Sequence, residues 1–209
     1  MSTFFIHYLW LGLEIFGTII FAISGAMSAA RRGFDVTGVV LIGCVVGNGG
    51  GTIRDLLIGA PVYWLTHWSY IIISIAAALL TFLSMHYVHQ ARRLILLSDA
   101  LGLGVFAVVG AQKALLFGLN PFLAVIMGLI TSIGGGLIRD TLCNQMPLVL
   151  REEIYALAAT AGATVFVLLP SDLQQNFLAY MACVTLVVII RLLAVKFKIH
   201  MPSINFPQD

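Results

Sequence analysis

Of 209 residues, 60% are hydrophobic and 10% are charged, and the mean hydropathy is +1.03; water-soluble domains carry about 25% charged residues, so water is not the main solvent of this chain. The net charge of +2 comes without a basic stripe interleaved with aromatics, which gives no reason to expect nucleic acid as a partner. A helix needs about 20 apolar residues to cross a bilayer, which leaves room for roughly six to eight crossings and none for a separate soluble domain.

Cutting the chain at its charged and turn-rich points gives seven apolar segments, near residues 7–30, 36–58, 67–88, 95–117, 121–142, 153–170 and 175–195. The first lacks the basic start and small-residue cleavage site of a signal peptide and is read as a retained span. The separators are short, as between antiparallel neighbours in a bundle. With seven crossings, Arg31, Arg32, Arg92, Arg93, Arg151, Lys196 and Lys198 fall on one side, with Arg191 at the end of the last span. The positive-inside rule then places the C-terminus in the cytoplasm and the N-terminus outside, in a prokaryotic inner or cell membrane. Trp10, Trp64, Trp68 and Tyr70 gather on the outer side, where amphipathic rings favour the headgroup zone. His7, His67, His86, His89 and His200 are expected near the interfaces or in the tail, and Cys44, Cys143 and Cys183 as buried small side chains without disulfides.

Residues 14–55 align with residues 99–140 at a constant offset of 85, without a gap and with 15 identities in 42 positions. The match ends in Gly49-Gly50-Gly51-Thr52-Ile53-Arg54-Asp55 against Gly134-Gly135-Gly136-Leu137-Ile138-Arg139-Asp140, and an acidic residue recurs as Glu14 and Asp99. An odd number of crossings per copy inverts the second copy, so two three-helix repeats, about 7–88 and 95–170, are expected around a pseudo-two-fold axis in the membrane plane, with a seventh helix at about 175–195. The fold class is therefore an all-α membrane protein of seven transmembrane helices forming one transmembrane domain.

Three consecutive glycines inside segments 2 and 5 each cost about 1 kcal/mol relative to alanine and predict that both helices are kinked or broken there. In hydrocarbon a break is tolerated only where it is buried in protein or faces a watery cavity, and its free carbonyls suit a weak monovalent cation site. Arg54, Asp55, Arg139 and Asp140 follow one turn later; charge inside a membrane marks a functional site. Topology pairs Glu14 with Arg54 and Asp99 with Arg139 at opposite ends of one polar path. Lys113 is expected to gate cations or to snorkel to the interface. Ser24, Asn48, Thr52, Thr131 and Ser132 are candidate pore-lining groups, as weaker signals, because hydroxyls often bond their own helix. No catalytic triad, zinc motif or Walker loop is present, so no enzyme activity and no cofactor are expected.

The doubled Gly-Gly-Gly-x-Ile-Arg-Asp string, the three-plus-three-plus-one helix count and the length resemble the prokaryotic trimeric intracellular cation channel family, whose duplicated domain some classifications label a glycine transporter. The resemblance runs from about Leu9 to Leu193. It implies a homotrimer with a pore in each protomer and passage of potassium and sodium, with the two glycine triplets as kinks and the Arg-Asp pairs as adjoining charges. The alternative function is a secondary transporter of a small amino acid such as glycine, because inverted repeats serve both. A membrane scaffold is a third reading and explains the doubled triplets worst.

Overall fold

The structure is a computed structural model that describes residues 2–85, 91–151, 154–197 and 199. His86, His89, Lys198 and His200 lie outside the described residues, as do the side chains of His7 and Arg151. The described residues form ten helices and no strand: α1 Ser2–Arg31, α2 Val36–Leu57, α3 Tyr63–Thr66, α4 Ser69–Ser84, α5 Ala91–Leu116, α6 Pro121–Leu142, α7 Leu148–Arg151, α8 Ile154–Leu168, α9 Ser171–Gln174 and α10 Phe177–Phe197. Five of them, α1, α2, α5, α6 and α10, are long and apolar enough to span a membrane, and α4 and α8 are shorter apolar helices.

Helices α2, α3 and α4 begin 85 residues before α6, α7 and α8. The same local chemistry sets their ends. Asp35 and Asn120 cap α2 and α6 by accepting from the backbone N–H of Gly38 and Leu123. Gly33 and Gly118, with φ near 80°, end α1 and α5 in the left-handed conformation that glycine adopts without steric cost. Helix α1 packs on α2, α4 and α5, while α5 packs on α6 and α8 and α10 covers α5 and α8. Small residues make these approaches close: Ala22, Ala26, Ala29, Ala107, Ala111 and Ala114 are buried.

The expected helix breaks are not formed. The α-helix runs without interruption through Gly49–Gly51 and Gly134–Gly136. The glycines instead let α2 and α6 cross backbone to backbone: a methyl group on Gly134 would stand 3.1 Å from the Gly50 Cα, and one on Gly50 would run into the Thr131 carbonyl. The cost of glycine in a helix is offset by packing that no side chain would permit, so both triplets keep their hydrogen bonds inside the helix.

Candidate functional site

The charged residues gather in two clusters, one on each repeat. In the first, the Arg54 guanidinium is fully buried, donates from Nη2 to Glu14 Oε1 at 2.7 Å and from Nε to Asp55 Oδ1 at 2.8 Å. Tyr70, at the start of α4, donates its hydroxyl to Glu14 Oε2 at 3.3 Å. Asp55 Oδ2 also accepts the backbone N–H of Tyr63 at 3.0 Å, which fastens α3 to the end of α2. The Lys113 ammonium, from α5, closes the cluster on Asp55 at 2.8 Å to Oδ1 and 3.0 Å to Oδ2.

The second cluster repeats the first at an offset of 85. Arg139 donates from Nη1 to Asp99 Oδ1 at 2.6 Å and from Nε to Asp140 Oδ1 at 2.8 Å. The Tyr155 hydroxyl donates to Asp99 Oδ1 at 3.2 Å, and Asp140 Oδ2 accepts the Leu148 N–H at 2.9 Å. Both ion pairs expected from topology are thus formed, each across two helices of one repeat. The clusters differ in two ways. Ser24 accepts a 2.7 Å hydrogen bond from Arg139, whereas the position 85 residues on is Val109, which has no acceptor to offer, and Arg54 Nη1 is buried without a partner. The counterpart of Lys113 is Ser28.

A cavity of about 810 Å³ opens at the Arg139 end, lined among others by Ser28, Arg31, Arg32, Arg92, Arg139 and Asp140. Residues from the α1–α2 connection, the start of α5, the segment after α6 and the end of α10 meet there, so the basic segments do share one end of the bundle. At the Arg54 end Tyr63 packs against the cluster. Its ring lies 5.9 Å from the Arg54 guanidinium and 5.8 Å from the Lys113 ammonium, and its hydroxyl donates to Asn48 Oδ1 at 2.9 Å. Burial, reinforced by the Glu14 carboxylate, keeps the Tyr63 phenol protonated well above its ordinary range.

The structure gives the remaining sequence candidates their partners. The Lys113 ammonium pairs with Asp55, giving that buried carboxylate a second cation beside Arg54. Tyr70 is a buried donor to Glu14. Thr52, Thr131 and Ser132 spend their hydroxyl hydrogens on carbonyls of their own helices, at Asn48, Met127 and Leu129. Asn48 instead ties α2 to α4 through Ser74 at 3.1 Å. Sequence reasoning missed Tyr63 and the roles of Tyr70 and Tyr155, although the tyrosine pair keeps the offset of 85 and would have surfaced had the alignment been carried past Asp140. The structure predicts that Tyr63→Phe, which strands the Asn48 carbonyl, costs about 1–3 kcal/mol. A fall in melting temperature of roughly 2–4 °C per kcal/mol in detergent is the measurement.

Residues 11–86 and 96–171 each match the family model described as Glycine transporter. The chain is 37% identical over 206 residues to the UPF0126 inner membrane protein YadS of Escherichia coli, covering 94% of this chain and 97% of the relative. It is 38% identical over 207 residues to the UPF0126 membrane protein YvgT of Bacillus subtilis, covering 96% and 98%. Among solved structures, the TRIC trimeric intracellular cation channel orthologue from Rhodobacter sphaeroides superposes with a TM-score of 0.84 at 38% identity, covering 91% of this chain and 99% of that one. A prokaryotic TRIC channel in 0.5 M KCl gives 0.85 at 31% identity, covering 92% and 98%.

Proposed function

Because the chain belongs to the Glycine transporter family of membrane proteins, whose solved relatives are TRIC channels, we propose that it conducts monovalent cations, potassium and sodium, along a path inside each protomer. It is an integral membrane protein and not an enzyme. The observation that carries the reading is the pair of inverted Arg-Asp clusters at opposite ends of one glycine crossing, with a cavity leading in from one of them. Charge buried in membrane helices is costly even when paired, and where it is kept in symmetric positions it marks an ion route.

On this reading α4 and α8 complete seven crossings with the five longer spans, and two repeats of opposite orientation, about 7–88 and 95–170, enclose the path. The path is closed where Gly50 meets Gly134 and opens when α2 and α6 bend at the triplets, where glycine makes bending least costly. The arginine-rich end faces the cytoplasm by the positive-inside rule, with the N-terminus outside. Three copies assemble, as the trimeric name of the Rhodobacter sphaeroides relative suggests. Selectivity among monovalent cations is modest, because nothing here resembles a ring of carbonyls from four-fold loops.

The test is the purified protein in a planar bilayer with asymmetric potassium, sodium and chloride. Discrete unitary steps whose reversal follows the cation gradient are expected. Saturable, stereoselective uptake of glycine into liposomes without unitary steps would overturn the channel in favour of a transporter, the reading that the family model's description favours.

A further inference from the structure

We propose that Arg191, on a helix outside the duplication, is a positioning residue of the Arg139 cluster: its guanidinium holds the Tyr155 ring, and through it the hydrogen bond to Asp99, and supplies the cluster's second positive charge. The family-model matches end at residue 171, so α10 belongs to neither repeat. Yet Arg191, two turns from the end of α10, is almost wholly buried. An arginine near the end of a membrane helix ordinarily snorkels to the interface, and one turned into the bundle is costly enough to mark a role. Arg191 turns inward, with its guanidinium carbon 4.9 Å from the centroid of the Tyr155 ring.

The repeat shows what Arg191 replaces. In the first cluster the Tyr70 ring, 85 residues before Tyr155, packs edge to face on the Tyr63 ring at 4.5 Å. The residue 85 after Tyr63 is Leu148, which is neither aromatic nor charged, and it is Arg191 that lies on the Tyr155 ring. Charge follows the same plan. Arg54 and Lys113 stand against Glu14 and Asp55, whereas the counterpart of Lys113 is the neutral Ser28, so Arg139 alone would face Asp99 and Asp140. Arg191 lines the same cavity as Arg139 and Asp140 and restores two cations to two carboxylates. A cation on the face of a buried tyrosine also strengthens its hydroxyl as a donor, here to Asp99 Oδ1 at 3.2 Å. Helix α10 packs on α5 and α8, which carry Asp99 and Tyr155, so one unduplicated helix braces both partners.

The inference rests on the channel reading only for its effect on current. Arg191→Met keeps most of the side-chain stem and removes the charge. In detergent it is expected to melt about 4 °C or more below wild type, and Arg191→Lys to recover at least half of that loss. In a Tyr155→Leu background the same Arg191→Met change is expected to cost less than half as much, while in Tyr70→Leu, at the other cluster, it keeps its full cost. Penalties that simply add in Tyr155→Leu overturn the positioning role, and so does Arg191→Lys melting no higher than Arg191→Met. If Arg191→Met yields too little folded protein, Arg191→Gln carries the same cycle. In bilayers at about 0.1 M salt, Arg191→Met is expected to raise the unitary cation current entering from the Arg139 end about twofold, a gain that screening removes at about 1 M. An unchanged current at the lower salt overturns the charge role. Coupled melts in a protein that passes no cation current uphold the positioning role and defeat the channel reading; cation currents with additive melts do the reverse.

Discussion

Arg139→Met is expected to cost the folded protein about 3–5 kcal/mol, the penalty for leaving buried charge without its partner. The guanidinium is buried and is the shared cation of Asp99 and Asp140, both almost wholly enclosed. Asp99 Oδ2 already lacks a hydrogen-bond partner, so the cluster has little slack to absorb the loss. The matching change at the other end, Arg54→Met, is expected to cost less. There Lys113 still contacts Asp55, and the Glu14 side chain is 14% exposed, so water shares part of the burden. Yield of monodisperse protein after extraction, followed by melting temperature, should rank wild type above Arg54→Met and Arg54→Met above Arg139→Met. The reverse order would mean that the second cluster draws compensation from elsewhere.

Gly50→Ala decides between two roles for the triplets. If the helix were loose at Gly50, alanine would stabilise it by about 1 kcal/mol through propensity alone. In the observed crossing the new methyl group meets the Thr131 carbonyl, which is helix backbone and cannot rotate aside, so α2 and α6 must separate. Overpacking of that kind typically costs about 1–3 kcal/mol. Gly134→Ala is the internal comparison: its methyl group would stand 3.1 Å from the Gly50 Cα, a tight contact that a small shift relieves. A lower melting temperature for Gly50→Ala than for Gly134→Ala is expected, and a rise for Gly50→Ala would sink the packing account.

The membrane class and the duplication were legible because both are written in local pattern: apolar runs of spanning length, and a fixed offset that survives a loop. The Arg54–Glu14 and Arg139–Asp99 pairs were legible for a related reason. Helix direction and depth follow from counting residues along a span, and in an apolar solvent opposite charges at one depth have few other partners. The packing of the glycine triplets was not legible because propensity describes a helix alone. A Gly-Gly-Gly run breaks an isolated helix, but a second such run laid across it converts the missing side chains into close backbone contact.

The sequence by itself determined the solvent, the all-helical class, the duplicated plan and which charges come in pairs, since each depends on spacing along the chain. Only the tertiary structure decided that the triplets cross as unbroken helix, that Tyr63 packs against the Arg54 cluster while a cavity opens beside Arg139, and that Lys113 pairs with Asp55. These depend on which side chain is near which in space, across 58 residues of sequence for Lys113 and Asp55, and a long flexible lysine or a tyrosine on a short helix carries no sign of its destination in its neighbours. Physical distance sets their energies, and the chain's order does not record it.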